Sequence, residues 1–277
     1  MPKTIQEMFS LADRVVILTG GAGSLGQQYL HTLLEAGARV LVADVRVEAA
    51  EEVVCQTVSR VGGEAFGCAV DVSRKDEVQR MTQAAVDRWG RIDVLINNAA
   101  IDPKFDVTEA NQHSSSFEAY PLELWQRSLD VNLTGAFLCA QAAGAVMARQ
   151  GGGAMVNICS TYGLVAPDQR LYKRGDESDQ TLYKPVDYAV TKAGLAHLTR
   201  YLAAYWGEKN IRVNTLTPGG VRQAQDDAFI ARYAARTPLG RMAELDEMCG
   251  AMLFLVSDAS SYMTGANLVV DGGWTAW

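Results

Sequence analysis

Short, continuous apolar runs alternate with helical stretches from residue 14 to the end of the chain. Residues 14–19 (RVVILT), 38–43 (ARVLVA), 65–70, 92–97 (IDVLIN), 154–159, 211–216 and Asn267–Val270 are apolar runs without polar alternation. A strand that is apolar on both faces has to be covered on both faces, the condition met in a parallel sheet between two helical layers. The intervening residues 24–36, Val47–Val61, Lys75–Trp89, 122–149, 187–206 and 244–256 carry helical spacing, and Gly37, Gly62, Gly90 and Gly151 stop four of them. Repeated strand–helix units with right-handed crossovers predict an α/β, doubly wound parallel sheet of about seven strands. No Pro/Ser-rich linker, composition shift or repeat divides the 277 residues, so residues 1–277 are expected to form a single domain.

Composition narrows the function. Apolar residues make up 48%, enough for a sizeable core, and 25 Lys+Arg against 32 Asp+Glu give a net charge of −7. That balance argues against nucleic acid or an anionic membrane as the partner and leaves a small molecule. Five scattered cysteines without paired spacing and three distant histidines (His31, His113, His197) support neither a disulfide framework nor a metal site. The N-terminus lacks a signal-peptide pattern, and the apolar stretch 133–148 reads as a buried helix, so a soluble, cytoplasmic protein is expected.

The first strand enters a glycine-rich turn, residues 19–26 (TGGAGSLG), that opens a helix. A dinucleotide pyrophosphate needs backbone N–H groups at a helix N-terminus with no side chains in the way. Gly20 suits the tight turn, Gly23 and Ser24 the phosphate approach, and Gly26 close helix–strand packing. Asp44 ends the second strand, 18 residues beyond Gly26. A carboxylate there accepts the adenosine ribose hydroxyls and repels a 2′-phosphate, which favours NAD over NADP. Arg46 reads as the solvated start of the next helix, with recognition of a 2′-phosphate as the alternative.

Further motifs follow in order: Asp71-Val72 after strand three, Asn97-Asn98-Ala99-Ala100 after strand four, Asn132 in DVNLTG, Ser160 after strand five, Tyr188-Ala-Val-Thr-Lys192, and Pro218-Gly219 after strand six. Together they resemble the short-chain dehydrogenase/reductase family over essentially the whole chain. The resemblance implies a Rossmann-type fold and an oxidoreductase that moves hydride between a nicotinamide cofactor and a secondary alcohol or ketone. It implies that Asp71 and Val72 contact adenine and Asn98 the adenosine-side ribose, with Leu25 and Ala99 in the same site. Pro218, Gly219 and Val221 would close over nicotinamide, and Lys192 would bond its ribose. Ser160 would hold the substrate oxygen, Tyr188 would accept or donate the proton, and Asn132 would place a relay water. The helices corresponding to 122–149 and 187–206 build a four-helix interface in the family, which implies a homo-oligomer, tetramer or dimer.

Tyr-x-x-x-Lys occurs twice, and either i,i+4 pair shares one helix face. Tyr188/Lys192 lies at the start of its helix on the carboxyl side of the sheet, where ligands bind, whereas Tyr205/Lys209 lies at the far end and reads as structural. A free tyrosine titrates near 10, too high for an efficient base at neutral pH. A nearby Lys192 ammonium, helped by the positive nicotinamide of the oxidised cofactor, is expected to lower it.

Three positions depart from the family pattern: Ser24, Ala100 and Gln223. Two loops are long, residues 100–125 and 167–185, and 28 residues separate Ser160 from Tyr188. Both loops emerge beside the active site and carry polar residues, among them Lys104, His113, Asp168, Gln169, Arg170, Lys173 and Arg174. Lys104, Gln169, Arg170 and Arg174 are the candidate substrate contacts, and such walls suit a hydroxyl-rich or anionic, sugar-like substrate. NNAAIDPK, PDQR, TPLGRM and the closing DGGWTAW resemble the branch near bacterial surface-sugar and flagellin-glycan pathways. Alternative readings are a 3-oxoacyl- or hydroxysteroid-type ketone reductase and a non-catalytic cofactor-sensing member of the family.

Overall fold

The computed structural model describes residues 2–102, 115–173, 180 and 182–277. In chain order the main elements are α1 (Ile5–Phe9), β1 (Val15–Thr19), α2 (Ser24–Glu35), β2 (Arg39–Asp44), α3 (Val47–Val61), β3 (Glu64–Ala69) and α4 (Lys75–Trp89). They continue with β4 (Val94–Asn97), α5 (Leu122–Leu129), a π-helical turn (Asp130–Gly135), α6 (Ala136–Gln150), β5 (Gly153–Ile158) and α7 (Val186–Trp206). The last are β6 (Ile211–Pro218), α8 (Asp227–Arg236), α9 (Cys249–Val256) and β7 (Asn267–Val270). All seven strands are parallel, in the order β3-β2-β1-β4-β5-β6-β7.

The reason the strands are apolar throughout is visible in β1. Val16 and Leu18 belong to the core beneath α2, α3 and α9, while Val15 and Ile17 belong to the core beneath α4, α6 and α7. Successive side chains point to opposite faces, so both cores draw on every central strand. The edge strand β3 is only partly buried.

A polar ladder crosses this otherwise apolar interior. Asn97 Nδ2 donates to Asn157 Oδ1 at 2.8 Å, Asn157 Nδ2 donates to Thr199 Oγ1 at 2.8 Å, and Thr215 Oγ1 donates to the same hydroxyl at 2.8 Å. Asn97, Asn157 and Thr215 are register neighbours on β4, β5 and β6, and Thr199 lies on α7. Buried polar groups bonded in this way specify one register, and here they fix α7 against the sheet.

The expected 122–149 helix is interrupted. Its middle turn, Asp130–Gly135, is π-helical. The whole run Leu122–Gln150 is long and apolar enough to cross a bilayer, but it packs against α4, α7, β4 and β5. The 244–256 helix begins as a 3₁₀ turn (Leu245–Met248), and α1 and α8 are additional to the helices expected from sequence.

Candidate active site

The glycine turn is built by close backbone approach. Gly20 has φ +64°, and a Cβ there would lie 2.7 Å from Ala99 Cα. A Cβ on Gly26 would meet the Gly20 carbonyl oxygen at 2.4 Å and Gly21 Cα at 2.7 Å. Asn98 braces the turn, its Nδ2 donating to the carbonyls of Thr19 (3.0 Å) and Gly20 (2.9 Å). Thr19 Oγ1 accepts from the backbone N–H groups of Asn98 and Ala99, each at 3.1 Å.

Gly23 differs from its neighbours. A Cβ there would meet only the Gly20 carbonyl oxygen, at 3.3 Å, so packing does not demand glycine. It is the N-cap of α2, and the helix carries no side-chain cap. The first-turn N–H groups therefore face a cleft of about 1030 Å³ whose walls include Gly20, Gly23, Ser24, Leu25, Gly26, Asp44, Asp71, Val72, Asn98, Ala99 and Asp102. Uncapped N–H groups behind a bare glycine make an anion cradle, and the cleft has room for a dinucleotide. The residues fit the group.

Asp44 is buried at the end of β2. One of its oxygens accepts from Ala22 N in the glycine turn at 3.2 Å, and the other from Arg46 N at 3.1 Å. Arg46, the N-cap residue of α3, has a side chain 65% exposed, with its Nε 3.5 Å from that carboxylate. Asp71 Oδ1 accepts from Ser73 N at 2.9 Å and Ser73 Oγ at 2.6 Å. Two of the residues that depart from the family pattern touch each other across the cleft, Ser24 Oγ lying 3.1 Å from Gln223 Oε1. Pro218, Gly219 and Val221 stand off the large cleft. Gly219 N donates to Val270 O at 2.8 Å, Val221 bridges to Ala243, and Gly220 N donates to Tyr233 Oη at 2.6 Å.

Ser160, Tyr188 and Lys192 come together where β5 meets α7. Ser160 caps a 3₁₀ turn (Thr161–Gly163), its Oγ accepting from Tyr162 N at 3.2 Å. Gly163 presses that turn onto α7, since a Cβ on it would lie 2.6 Å from Cys159 Sγ and 2.9 Å from the Lys192 carbonyl carbon. Lys192 is buried and its Nζ donates to Ile158 O at 2.8 Å. Desolvation brings its pKa down to about 8. The start of α7 is pinned by fully buried Asp187, which accepts from Tyr188 N at 2.7 Å and from Ser128 Oγ on α5.

Within the protein alone, the surroundings of the Tyr188 phenol oppose its ionisation. Burial pushes its pKa up, the Asp102 carboxylate pushes in the same direction, and only the Ser160 hydroxyl opposes them. The Lys192 ammonium is bonded to Ile158 O and lies 5.6 Å from the centre of the Tyr188 ring.

Asn132 sits in the π-helical turn with both ends of its side chain engaged: Nδ2 donates to Ile101 O at 2.9 Å, and Oδ1 accepts from Ile101 N at 2.8 Å. The side chain thereby ties β4's exit loop to the helix. Tyr205 stacks on Tyr201 along the exposed face of α7 (ring centres 6.1 Å apart), and Lys209 lies in the 3₁₀ turn that follows, so the second Tyr/Lys pair is structural.

Among the candidate substrate residues, Lys104 and Arg174 lie outside the described residues, as does His113. Arg170 forks onto Asp168 (2.9 and 2.8 Å), and its side chain is 84% exposed. Gln169 braces the backbone of Lys184, its Oε1 accepting from Lys184 N at 2.7 Å and its Nε2 donating to Lys184 O at 3.3 Å. Lys184 is what sequence reasoning missed. Its ammonium pairs with Asp102 and lies 4.2 Å from the centre of the Tyr188 ring.

Comparison with known proteins agrees with this geometry. A family model described as short chain dehydrogenase matches residues 14–172, and one described as enoyl-(acyl carrier protein) reductase matches residues 176–275. The chain is 34% identical over 272 residues to D-threitol dehydrogenase of Mycolicibacterium smegmatis, covering 96% of this chain and 95% of that one. It is 34% identical over 276 residues to cis-4-hydroxycyclohexanecarboxylate dehydrogenase of Sinomonas cyclohexanicum, covering 96% and 98%. A crystal structure of a gluconate 5-dehydrogenase from Burkholderia cenocepacia, in complex with NADP and tartrate, superposes with a TM-score of 0.85 at 30% identity, covering 99% of this chain and 100% of that one.

Proposed function

This chain belongs to the short-chain dehydrogenase/reductase family, and on that premise we propose that it oxidises a secondary alcohol of a small, hydroxyl-rich, sugar-like molecule, or reduces the matching ketone, with NAD as cofactor. The observation that carries the reading is Tyr188, bonded to Ser160 and flanked by the Lys184 and Lys192 ammonium groups, joined through Asp102 to a cleft of dinucleotide size. The oxidised nicotinamide, when bound, supplies the hydride acceptor.

The chain's own residues do the rest. Ser160 Oγ holds the substrate oxygen, and Tyr188 Oη takes its proton as the alcohol is oxidised or returns it in reduction. Lys192, buried at the floor, would bond the ribose next to the nicotinamide. Asn132, held in the π-helical turn by its two bonds to Ile101, is the residue assigned to place the relay water. The first-turn N–H groups of α2 would receive the pyrophosphate, and Asp71, Val72 and Asn98 would flank the adenosine.

The cofactor choice rests on Asp44, buried at the end of β2 with its carboxylate fixed by Ala22 N. A 2′-phosphate would meet this charge at short range. NAD is expected to give a kcat/KM at least about tenfold above NADP, and Asp44→Ser to narrow that ratio. Absorbance of the reduced cofactor with both nucleotides over a panel of polyols, aldonates and simple alcohols measures it, and stronger turnover with NADP overturns the assignment.

The substrate class is supported by the polar wall around Tyr188 and by the names of D-threitol and gluconate dehydrogenases among the relatives. Likeness to the surface-glycan branch has narrower support, because Asp168, Gln169 and Arg170 of its PDQR segment serve one another, Arg236 and Lys184 as framework. Five free cysteines fit a reducing, cytoplasmic setting.

Phe137 on α6 and Val190, Tyr201 and Tyr205 on α7 expose apolar surface, which supports a homo-oligomer, tetramer or dimer, built on these helices. Light scattering should return two or four times 30.0 kDa, and a monomer at micromolar concentration would exclude this packing.

A further inference from the structure

Among the described residues, the two long loops meet at a charged contact. Asp102 begins the first, Lys184 nearly ends the second, and the Lys184 ammonium bonds Asp102 Oδ2. The Lys184 side chain is only 10% exposed and the Asp102 carboxylate 37%. The lysine is not there by accident of a flexible tail. Its backbone is held from both sides by Gln169, and its Nζ lies 4.2 Å from the Tyr188 ring centre and 5.8 Å from that of Tyr162. Asp102 lines the cofactor cleft itself. An ion pair with one exposed partner is a weak source of stability, because water screens the attraction. Its position beside the proton-transfer residue therefore calls for another role.

We propose that Lys184 and Asp102 form the substrate-specificity site, and that it recognises a neutral vicinal diol, binding the hydroxyl next to the one that reacts. The inference rests on Tyr188 being the proton acceptor. An ammonium has three donors and a carboxylate about four acceptor positions, so each has capacity left beyond their mutual bond. A hydroxyl is the group that uses both, donating to Asp102 while accepting from Lys184, and both bonds are charge-assisted. A carboxylate in that place would gain Lys184 but face Asp102 at short range. A hydrocarbon would strip water from both charges and return nothing. In the reaction the C–H of the first carbon leaves as hydride to the oxidised nicotinamide and its O–H proton goes to Tyr188. The product is an α-hydroxy ketone whose second hydroxyl is unchanged.

The test uses the full-length enzyme and three substrates of matched size: butane-2,3-diol, butan-2-ol and 2-hydroxybutanoate. The diol is expected to have the highest kcat/KM, by at least about 100-fold over butan-2-ol, because sites built around a hydroxyl reject the analogue lacking it strongly. Lys184→Gln and Asp102→Asn should each lower the diol to butan-2-ol ratio at least about tenfold, and the double variant should lose little more than either alone. Calorimetric titration of the diol should show the same loss of binding without turnover, and circular dichroism confirms that each variant folds. A preference for 2-hydroxybutanoate, or a ratio unmoved in folded variants, overturns the proposal. If no alcohol is oxidised with either cofactor, the catalytic reading of Tyr188 fails and takes this inference with it.

Discussion

Tyr188→Phe should lower kcat for alcohol oxidation by about 10³-fold and leave the fold and cofactor binding in place. A positioned acid–base group contributes about 10²- to 10⁴-fold, and the substitution removes that group alone. The ring itself stays, together with its contacts to the ammonium groups of Lys184 and Lys192 at 4.2 and 5.6 Å. The pH dependence follows from the surroundings. Burial and Asp102 hold the phenol above its ordinary value in the protein alone, and the positive nicotinamide opposes them in the complex, so in the oxidation direction kcat should rise with pH in the wild type and lose that slope in the Phe variant. In reduction the protonated phenol is the reactive form, and kcat should stay flat where that for oxidation rises.

Lys192 provides an independent check with the opposite sign. Desolvation brings its pKa down to about 8, so its ammonium is lost as pH rises through that value. The kcat/KM for cofactor, which reports on the free enzyme, should then fall above about pH 8 while kcat for oxidation is still rising. A stopped-flow measurement of hydride transfer across this range separates the two. Retention of a tenth of wild-type kcat in Tyr188→Phe would remove Tyr188 from the chemistry.

What was legible in the sequence was what leaves a local trace. The strands were readable because burial on both faces makes Val15–Thr19 apolar at every position but the last. The glycine turn, Asp44 and the Tyr188/Lys192 pair were readable because their chemistry demands particular residue types at fixed spacing. The π-helical turn was not, because DVNLTG has the same apolar spacing whether the turn is tight or wide. Helix α8 left no usable signal either. Its apolar residues Phe229, Ile230 and Tyr233 pack on Leu171 and Tyr172 of the second long loop and on Trp274, so its partners are remote in sequence. Lys184 is the sharpest case. A lysine in a polar loop looks solvated, and only a carboxylate 82 residues away and a tyrosine ring beneath it make it a buried charge at the active site.

The glycine turn allows the fold's demand to be separated from the ligand's demand, and the second large effect lies there. Gly26→Ala should cost both stability and cofactor affinity. A Cβ at Gly26 meets only backbone close by, the Gly20 carbonyl oxygen at 2.4 Å, Gly21 Cα at 2.7 Å and the Gly21 carbonyl oxygen at 2.8 Å. None of these can rotate aside as a side chain can, so α2 has to move away from β1. Overpacking of this kind costs about 1–3 kcal/mol, which for a domain of this size lowers the melting temperature by roughly 2–12 °C. The same movement spoils the cradle, so the cofactor dissociation constant should rise at least about 100-fold. Gly23→Ala is the contrast. Its Cβ meets a single backbone oxygen at 3.3 Å and otherwise only the open cleft. The melting temperature should stay within about 2 °C of wild type, while the methyl group intrudes where the pyrophosphate approaches the α2 N–H groups and weakens binding at least about tenfold. Differential scanning calorimetry and fluorescence titration with the reduced cofactor, run on both variants, measure the two demands. Full cofactor affinity in a stable Gly23→Ala protein would mean that the dinucleotide does not lie across the first turn of α2.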